Sequence, residues 1–295
     1  MQGSIRVWAP AKVNLVLSVG TRRPDGYHEV RTVLQAISLW DSLVLTPQAE
    51  LAVVCDAPGV EDGPFNLAWR AAEALRRAAG ITAGARIVLA KDIPVRAGMG
   101  GGSTDAAAAL VGCNRLWGLE WPVARLAEVA GTLGADVPFF LHGGTALGEG
   151  RGDAVTPLPP LPSWPVVVAC PEQGAATAAA YDTLDALGQW HRPAVDEFVA
   201  RCRAGAAGGP EQLAAALANS FEDTLASRPD ILTLKRALEA EGALRPLLCG
   251  SGAAVWGLVA SARRAADIAA RLRALGFWAQ PARFLGGGVR LTSRA

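Results

Sequence analysis

Between Pro94 and Asp105 the chain reads Pro-Val-Arg-Ala-Gly-Met-Gly-Gly-Gly-Ser-Thr-Asp, with four glycines in the five positions 98–102. Glycine reaches backbone conformations closed to other residues and lets a ligand approach the main chain. An alanine run follows, so Ser103 or Thr104 is placed to cap a helix over residues 106–117. The first-turn N–H groups of such a helix have no internal partner. Together with the helix dipole they form an anion site, and a phosphate is its natural occupant. The plain alternative is a flexible strand-to-helix turn.

Two familiar phosphate-binding patterns do not fit. A P-loop places a lysine after its glycines, and none follows here. A dinucleotide fingerprint needs a third glycine in place and an acidic residue about twenty positions on. Here Gly98-Met-Gly-Gly-Gly-Ser lacks that glycine, and the helix is followed by Trp117-Gly118-Leu119.

The elements around the loop are an apolar extended run over 5–20, a Pro-Asp-Gly turn at 24–26, and strand-like runs over 30–45 and 51–54. Val13, Leu15 and Leu17 share one strand face; Lys12 and Asn14 share the other. A helix is predicted over 66–79 with Asn66 as N-cap and Gly80 at its end, then a strand over 85–91, and a helix from Pro122 to Gly134. The proline-rich stretch 157–165 suits a spacer. Beyond it, helices are expected near 175–187, 193–204, 210–218, 229–241 and 262–275, with strands near 166–170, 244–249, 253–259, 276–280 and 288–292. This is an α+β chain in two halves, 1–160 and 161–295.

The totals narrow the classes of function. A net charge of +1 gives no reason to expect a nucleic-acid partner. Five scattered cysteines without a C-x-x-C argue against a disulfide framework or a zinc site and for a reducing cytosol. The uncharged windows 154–171 and 246–262 are broken by proline and glycine, so no membrane span is expected, and the N-terminus has no signal-peptide pattern. A cytoplasmic protein follows, with no obligate protein partner evident. Only three lysines, Lys12, Lys91 and Lys235, stand against twenty-five arginines. Where lysine persists, a compact ammonium is the useful property.

The segment from Pro94 through Gly98-Met-Gly-Gly-Gly-Ser-Thr-Asp-Ala-Ala resembles the ATP loop of the galactokinase, homoserine kinase, mevalonate kinase and phosphomevalonate kinase superfamily. Four further segments resemble its branch of 4-diphosphocytidyl-2-C-methyl-D-erythritol kinases: Ala9-Pro-Ala-Lys12-Val-Asn14-Leu, Pro24-Asp-Gly-Tyr27-His28, Gly134-Ala-Asp136-Val-Pro-Phe-Phe and Cys249-Gly-Ser-Gly-Ala-Ala. The resemblance spans about residues 8–258. It implies a fold with an N-terminal half like ribosomal protein S5 domain 2, a ferredoxin-like C-terminal half, and the active site between them. It implies ATP-dependent phosphorylation of the 2-hydroxyl of that cytidylylated sugar alcohol. Two other readings stay open: a superfamily kinase for another alcohol, such as homoserine or mevalonate, and a non-catalytic nucleotide-binding protein of the same fold.

The resemblance also assigns roles. Lys12 and Asp136 become the catalytic pair, the carboxylate accepting the hydroxyl proton and the lysine offsetting charge on the moving phosphoryl. ATP is implied to lie against Pro94, Val95, Arg96, Ala97, Gly98, Met99, Gly100, Gly101, Gly102, Ser103 and Thr104, with Asn66 and Lys91 toward the adenine. Arg96 stands where relatives often have glycine and is an additional phosphate contact. Asn14, Tyr27, His28, Tyr181, Gly250, Ser251 and Gly252 are assigned to the acceptor, the two tyrosines to the faces of its cytosine. Magnesium accompanies ATP, with Ser103 as its protein ligand and Glu128 as a second candidate. His142 and His191 read as structural. Each assignment has a bland counterpart: Asn66 and Asp136 as helix caps, Lys91 as a strand-end charge, Gly250–Gly252 as a hairpin.

Overall fold

The computed structural model describes residues 3–55, 57–171, 177–189, 191–206 and 208–293. Two long strands, β1 (Ile5–Arg22) and β2 (His28–Gln48), form an antiparallel hairpin. Its turn is set by Asp25, whose Oδ1 accepts the Tyr27 N–H at 3.1 Å, and by Gly26 at φ 85°. The strand β3 (Leu51–Cys55) pairs in parallel with β4 (Gly84–Ala90), and β4 pairs with β2. Between them runs α1 (Leu67–Ala79). Asn66 Oδ1 caps it by accepting the Ala68 N–H, and Gly80 ends it in the left-handed conformation.

Helix α2 (Gly101–Leu116) begins at Gly101, not at Ala106, and Ser103 and Thr104 lie in its first turn rather than capping it. Gly100 takes the N-cap position at φ 74°. The first turn packs over Lys91 and Ile93, and that packing overrides the poor helix propensity of glycine. Helix α3 (Val123–Gly131) follows, then a short α4 (Val137–His142) and a hairpin of β5 (Thr145–Glu149) and β6 (Ala154–Pro157). The sequence signals had marked no element over these last three segments.

The remaining elements are β7 (Pro165–Cys170), α5 (Thr177–Leu187), α6 (Val195–Arg203), α7 (Pro210–Ala216), β8 (Ala218–Asn219), α8 (Pro229–Ala240), β9 (Leu244–Leu248), β10 (Val255–Leu258), α9 (Ala262–Ala274), β11 (Trp278–Arg283) and β12 (Arg290–Ser293). Residues 175 and 176 of the expected helix 175–187 lie outside the described residues. A second sheet, in the order β11-β7-β10-β9, is wholly antiparallel and packs against α8 and α9. The first sheet has the order β12-β1-β2-β4-β3, with β5 attached to β2 and β6 to β5. Two buried apolar clusters result. One lies between β4, α1 and α2; the other joins the inner face of β1 to the second sheet and its helices. The fold is the expected α+β architecture of two halves.

Candidate active site

The outer edge of β1 is covered discontinuously. β12 pairs with residues 5–8 and β8 with residues 16 and 17. In the gap between them the Lys12 N–H donates to the Met99 carbonyl at 3.0 Å, so the glycine loop takes the place of a neighbouring strand. Register shifts at Pro10/Ala11 and at Asn14/Val16 bracket this stretch. Such bulges re-aim side chains beside functional sites. Here they flank Lys12 and Asn14, both of which are buried.

Lys12 Nζ donates to Asn14 Oδ1 at 2.9 Å, and Asn14 Nδ2 donates to Thr32 Oγ1 at 2.8 Å. Thr32 Oγ1 in turn donates to the Val16 carbonyl at 2.8 Å. This chain fixes the ammonium, whose neighbour across the cavity is Asp136 Oδ2 at 4.0 Å. Asp136 sits ahead of α4, and its side chain makes no capping hydrogen bond. It is 39% exposed while Lys12 is 5% exposed, so the carboxylate faces a space that substrate can enter.

That space is a cavity of about 640 Å³. It is lined from the first half by Lys12, Asn14, Thr32, Asn66, Lys91, the loop from Pro94 to Ser103, Asp105 and Asp136. The second half contributes Tyr181, Phe221, Gly250 and Ser251. The structure therefore brings together nearly all of the candidate residues. Thr104, Tyr27, His28, Gly252 and Glu128 are not among the lining residues.

The glycines divide by task. A Cβ on Gly98 would stand 1.9 Å from the Cys249 carbonyl oxygen, and one on Gly100 2.5 Å from the Phe140 ring. These two serve close packing of the loop against the protein, with positive φ at both. A Cβ on Gly102 would meet nothing within 4 Å, so there the backbone faces open space. Thr104 N–H closes the first intrahelical bond, onto Gly100 at 2.9 Å. The N–H groups of Gly101, Gly102 and Ser103 precede that bond, and this end of a sixteen-residue helix is suited to an anion.

Lys91 does not project freely toward a base. Its Nζ donates to Asp41 Oδ2 at 2.5 Å and to Asp105 Oδ2 at 2.7 Å, with all three side chains buried. Burial alone would lower the lysine, but the two carboxylates outweigh it and hold it above its ordinary value. Burial pushes Asp105 up to about 8, a rise opposed by Lys91 and reinforced by Asp41. Asp105 Oδ1 and Thr104 Oγ1 are buried without a hydrogen-bond partner.

Around the turn, Tyr27 is 57% exposed with the Arg151 guanidinium 5.3 Å from its ring centre. His28 is buried, its Nε2 2.8 Å from Asp185 Oδ1, and its ring stacks on Tyr181 at 4.8 Å. Tyr181 also meets Phe221 edge-on. Burial, with the Asp136 charge nearby, pushes the Tyr181 phenol up to about 12. Tyr181 is thus a wall of the cavity built on His28. Asp41, Thr32, Asp105, Phe65 and Arg151 had not been singled out from the sequence. Asp105 directly follows the loop motif and could have been found; Asp41 had no local signal.

The donor set also fits a magnesium ion delivered with a nucleotide. Magnesium commonly takes one or two protein ligands and completes its shell with phosphates and water. Ser103 lines the cavity beside the anion-binding turn, and no cluster of three or more His, Cys, Asp or Glu offers a separate metal cage among the described residues. No helix among the described residues is long and apolar enough to cross a membrane.

Residues 66–144 match the family of GHMP kinases N terminal domains, and the fold and cavity define an ATP-dependent small-molecule kinase of that class. A 4-diphosphocytidyl-2-C-methyl-D-erythritol kinase from Geobacter metallireducens is 43% identical over 265 residues, covering 89% of this chain and 92% of its own. The crystal structure of a 4-(cytidine 5'-diphospho)-2C-methyl-D-erythritol kinase is 37% identical, with a TM-score of 0.78 over 96% of this chain and 100% of that one. The chain belongs to the 4-diphosphocytidyl-2-C-methyl-D-erythritol kinase family. Homoserine kinase from Cytophaga hutchinsonii shares the fold, with a TM-score of 0.74 over 99% of this chain and 98% of that one, at only 20% identity.

Proposed function

We propose that this enzyme transfers the γ-phosphoryl group of ATP to the 2-hydroxyl of 4-diphosphocytidyl-2-C-methyl-D-erythritol. The products are the 2-phosphate and ADP, a step of the methylerythritol phosphate route to isoprenoid precursors. The observation that carries this reading is the pair Lys12 and Asp136, 4.0 Å apart, in one cavity with the anion-binding turn of α2.

Phosphoryl transfer asks the protein for position and charge rather than covalent chemistry. The loop from Pro94 to Ser103 and the first-turn N–H groups of α2 hold the phosphates. Asp136 accepts the proton of the attacking hydroxyl. Lys12, held by Asn14 and Thr32, keeps the carboxylate placed and meets the charge that develops on the transferring group. Magnesium, with Ser103 as ligand, neutralises phosphate charge when bound.

Asn66 and Lys91 border the nucleotide end of the cavity. Tyr27 and His28 receive the cytosine, with Tyr181 toward its other face, and Gly250, Ser251 and Gly252 close over the acceptor. The support is Tyr181 at the cavity wall, with His28 stacked on it, and the exposed Tyr27 ring next to Arg151, which lines the same cavity. Residues 1–160 are proposed as the ATP-binding half and 161–295 as the ferredoxin-like half, and the enzyme is proposed to act in the cytoplasm.

A turnover assay tests the reading. Phosphorus NMR of enzyme, ATP, magnesium and the cytidylylated substrate should show a new phosphomonoester, with no turnover of the bare methylerythritol phosphate. No new signal from a preparation that binds ATP would overturn it.

A further inference from the structure

The carboxylate of Asp41 is fully buried in β2 and takes donors from three successive residues where β4 ends. Its Oδ1 accepts the N–H groups of Asp92 and Ile93 at 2.7 and 2.9 Å, and its Oδ2 accepts Lys91 Nζ. These three residues lead directly into the glycine loop. Lys91 also reaches Asp105 at 2.7 Å, in the helix that leaves the loop. One ammonium therefore joins the residue entering the loop to the residue leaving it, and Asp41 ties both to the central hairpin. Between these ends the loop has two backbone tethers, Lys12 N–H to Met99 and Ala254 N–H to Ala97, both 3.0 Å.

Stability does not account for such a cluster. Two carboxylates and one ammonium are withdrawn from water, and buried ionic groups are weak contributors to stability compared with apolar packing. The cluster also offers no net positive charge to the cavity above it, which is read as a polyanion site, and Asp105 Oδ1 has no partner. A glycine-rich segment, by contrast, has most to gain from having its ends fixed before a ligand arrives. The chain also uses arginine almost everywhere, yet keeps lysine here. A compact ammonium fits between two buried carboxylates, and a planar guanidinium does not substitute for it.

We propose that Asp41 and Asp105 are positioning residues for the kinase reaction: by gripping Lys91 between them they pin both ends of the glycine loop and pre-form its phosphate cradle. The proposal rests on the reading of this cavity as the ATP site. Lys91 then serves the nucleotide chiefly through the loop.

Calorimetric ADP binding and steady-state kinetics on the full chain test it, with wild-type ADP binding measured first. Absence of that binding would overturn the ATP-site reading and, with it, this proposal. Given binding, Asp41→Asn and Asp105→Leu should each raise the KM for ATP and the Kd for ADP by about tenfold or more, since small displacements of a binding group cost this much. The acceptor KM should stay within about twofold, because the acceptor side of the cavity is held separately. Asp105→Asn, which keeps an oxygen for Lys91, should weaken ATP less than Asp105→Leu. Lys91→Arg should behave like Asp41→Asn. Folded Asp41→Asn and Asp105→Leu proteins with unchanged KM for ATP would overturn the proposal. So would a fall in active fraction with both KM values intact, which is the mark of a merely structural cluster.

Discussion

The carbonyl oxygen of Cys249 lies 1.9 Å from where a Cβ on Gly98 would stand, so the glycine loop and the 249–252 turn meet backbone to backbone. The contact is reinforced by Ala254 N–H donating to Ala97, and by Asn219 Nδ2 donating to the carbonyl of Gly250 at 2.8 Å. The turn of the second half is thus seated on the glycine loop of the first.

Gly98 and Gly102 should respond to alanine in opposite ways. Gly98→Ala adds a methyl group against backbone at φ 78°, and should cost more than about 2 kcal/mol of stability as well as activity. Gly102→Ala sits in a helical turn with open space above it, and should leave the thermal midpoint nearly unchanged. If phosphate lies over that turn, its KM for ATP rises. Thermal melts and ATP titration of the two variants separate packing from ligand approach.

Replacing either member of the pair facing the cavity should cost rate more than stability. Asp136→Asn is expected to lower kcat by roughly 10²–10⁴, the usual worth of a placed general base. Its side chain is 39% exposed and caps nothing, so the midpoint in urea should hold. Lys12→Met should lower kcat similarly but also loosen Asn14, which loses its partner at 2.9 Å. Single-turnover kinetics with both substrates saturating measures the effect on chemistry alone.

Asp105 makes stability depend on pH. In the folded chain its carboxyl is pushed from 3.8 up to about 8, so between those values the folded state keeps a proton that the unfolded chain releases. Raising pH therefore favours the unfolded state across that window; the contribution is fully present below 3.8 and lost as pH passes about 8. The raised Lys91 acts only above its ordinary 10.5 and does not alter this range. Asp105→Asn should flatten the fall relative to wild type. Urea midpoints of the two proteins from pH 5 to pH 8.5 give the comparison, and parallel curves would contradict it.

The thiols should be quiet until the protein unfolds. Burial pushes Cys170 and Cys249 up to about 12, and Cys113 higher still. None of the five cysteines is in a disulfide, and only Cys55 is partly exposed. Alkylation at pH 8 followed by peptide mapping should label Cys55 first, and the others only after denaturation.

The loop, the shared face of Lys12 and Asn14, and the position of Asp136 were legible in the sequence because each is a local pattern. Gly98 to Asp105 is contiguous, and strand alternation puts residues 12 and 14 side by side. Asp41 was not legible. It sits in Leu39-Trp-Asp-Ser-Leu43, where alternation puts it on the same face as two leucines with no local partner for its charge, and only the return of the chain at 91–93 supplies its donors. The start of α2 was misplaced for a related reason. Glycine propensity argues against helix at Gly101 and Gly102, but Lys91 and Ile93 beneath Gly101 decide the matter. The short α4 was hidden in Val-Pro-Phe-Phe-Leu, an apolar run too brief to show a period.

The patchwork covering of β1 has a consequence for synthesis. Both strands that complete its outer edge, β8 and β12, come from the later part of the chain. A ribosome that has released the whole hairpin, the glycine loop and Asp136 has still not released the neighbours that hold residues 5–8 and 16–17. Until residues 290–293 emerge, the lysine-bearing strand presents an open flank to other nascent chains, so this sheet is completed only by segments far downstream of the glycine loop.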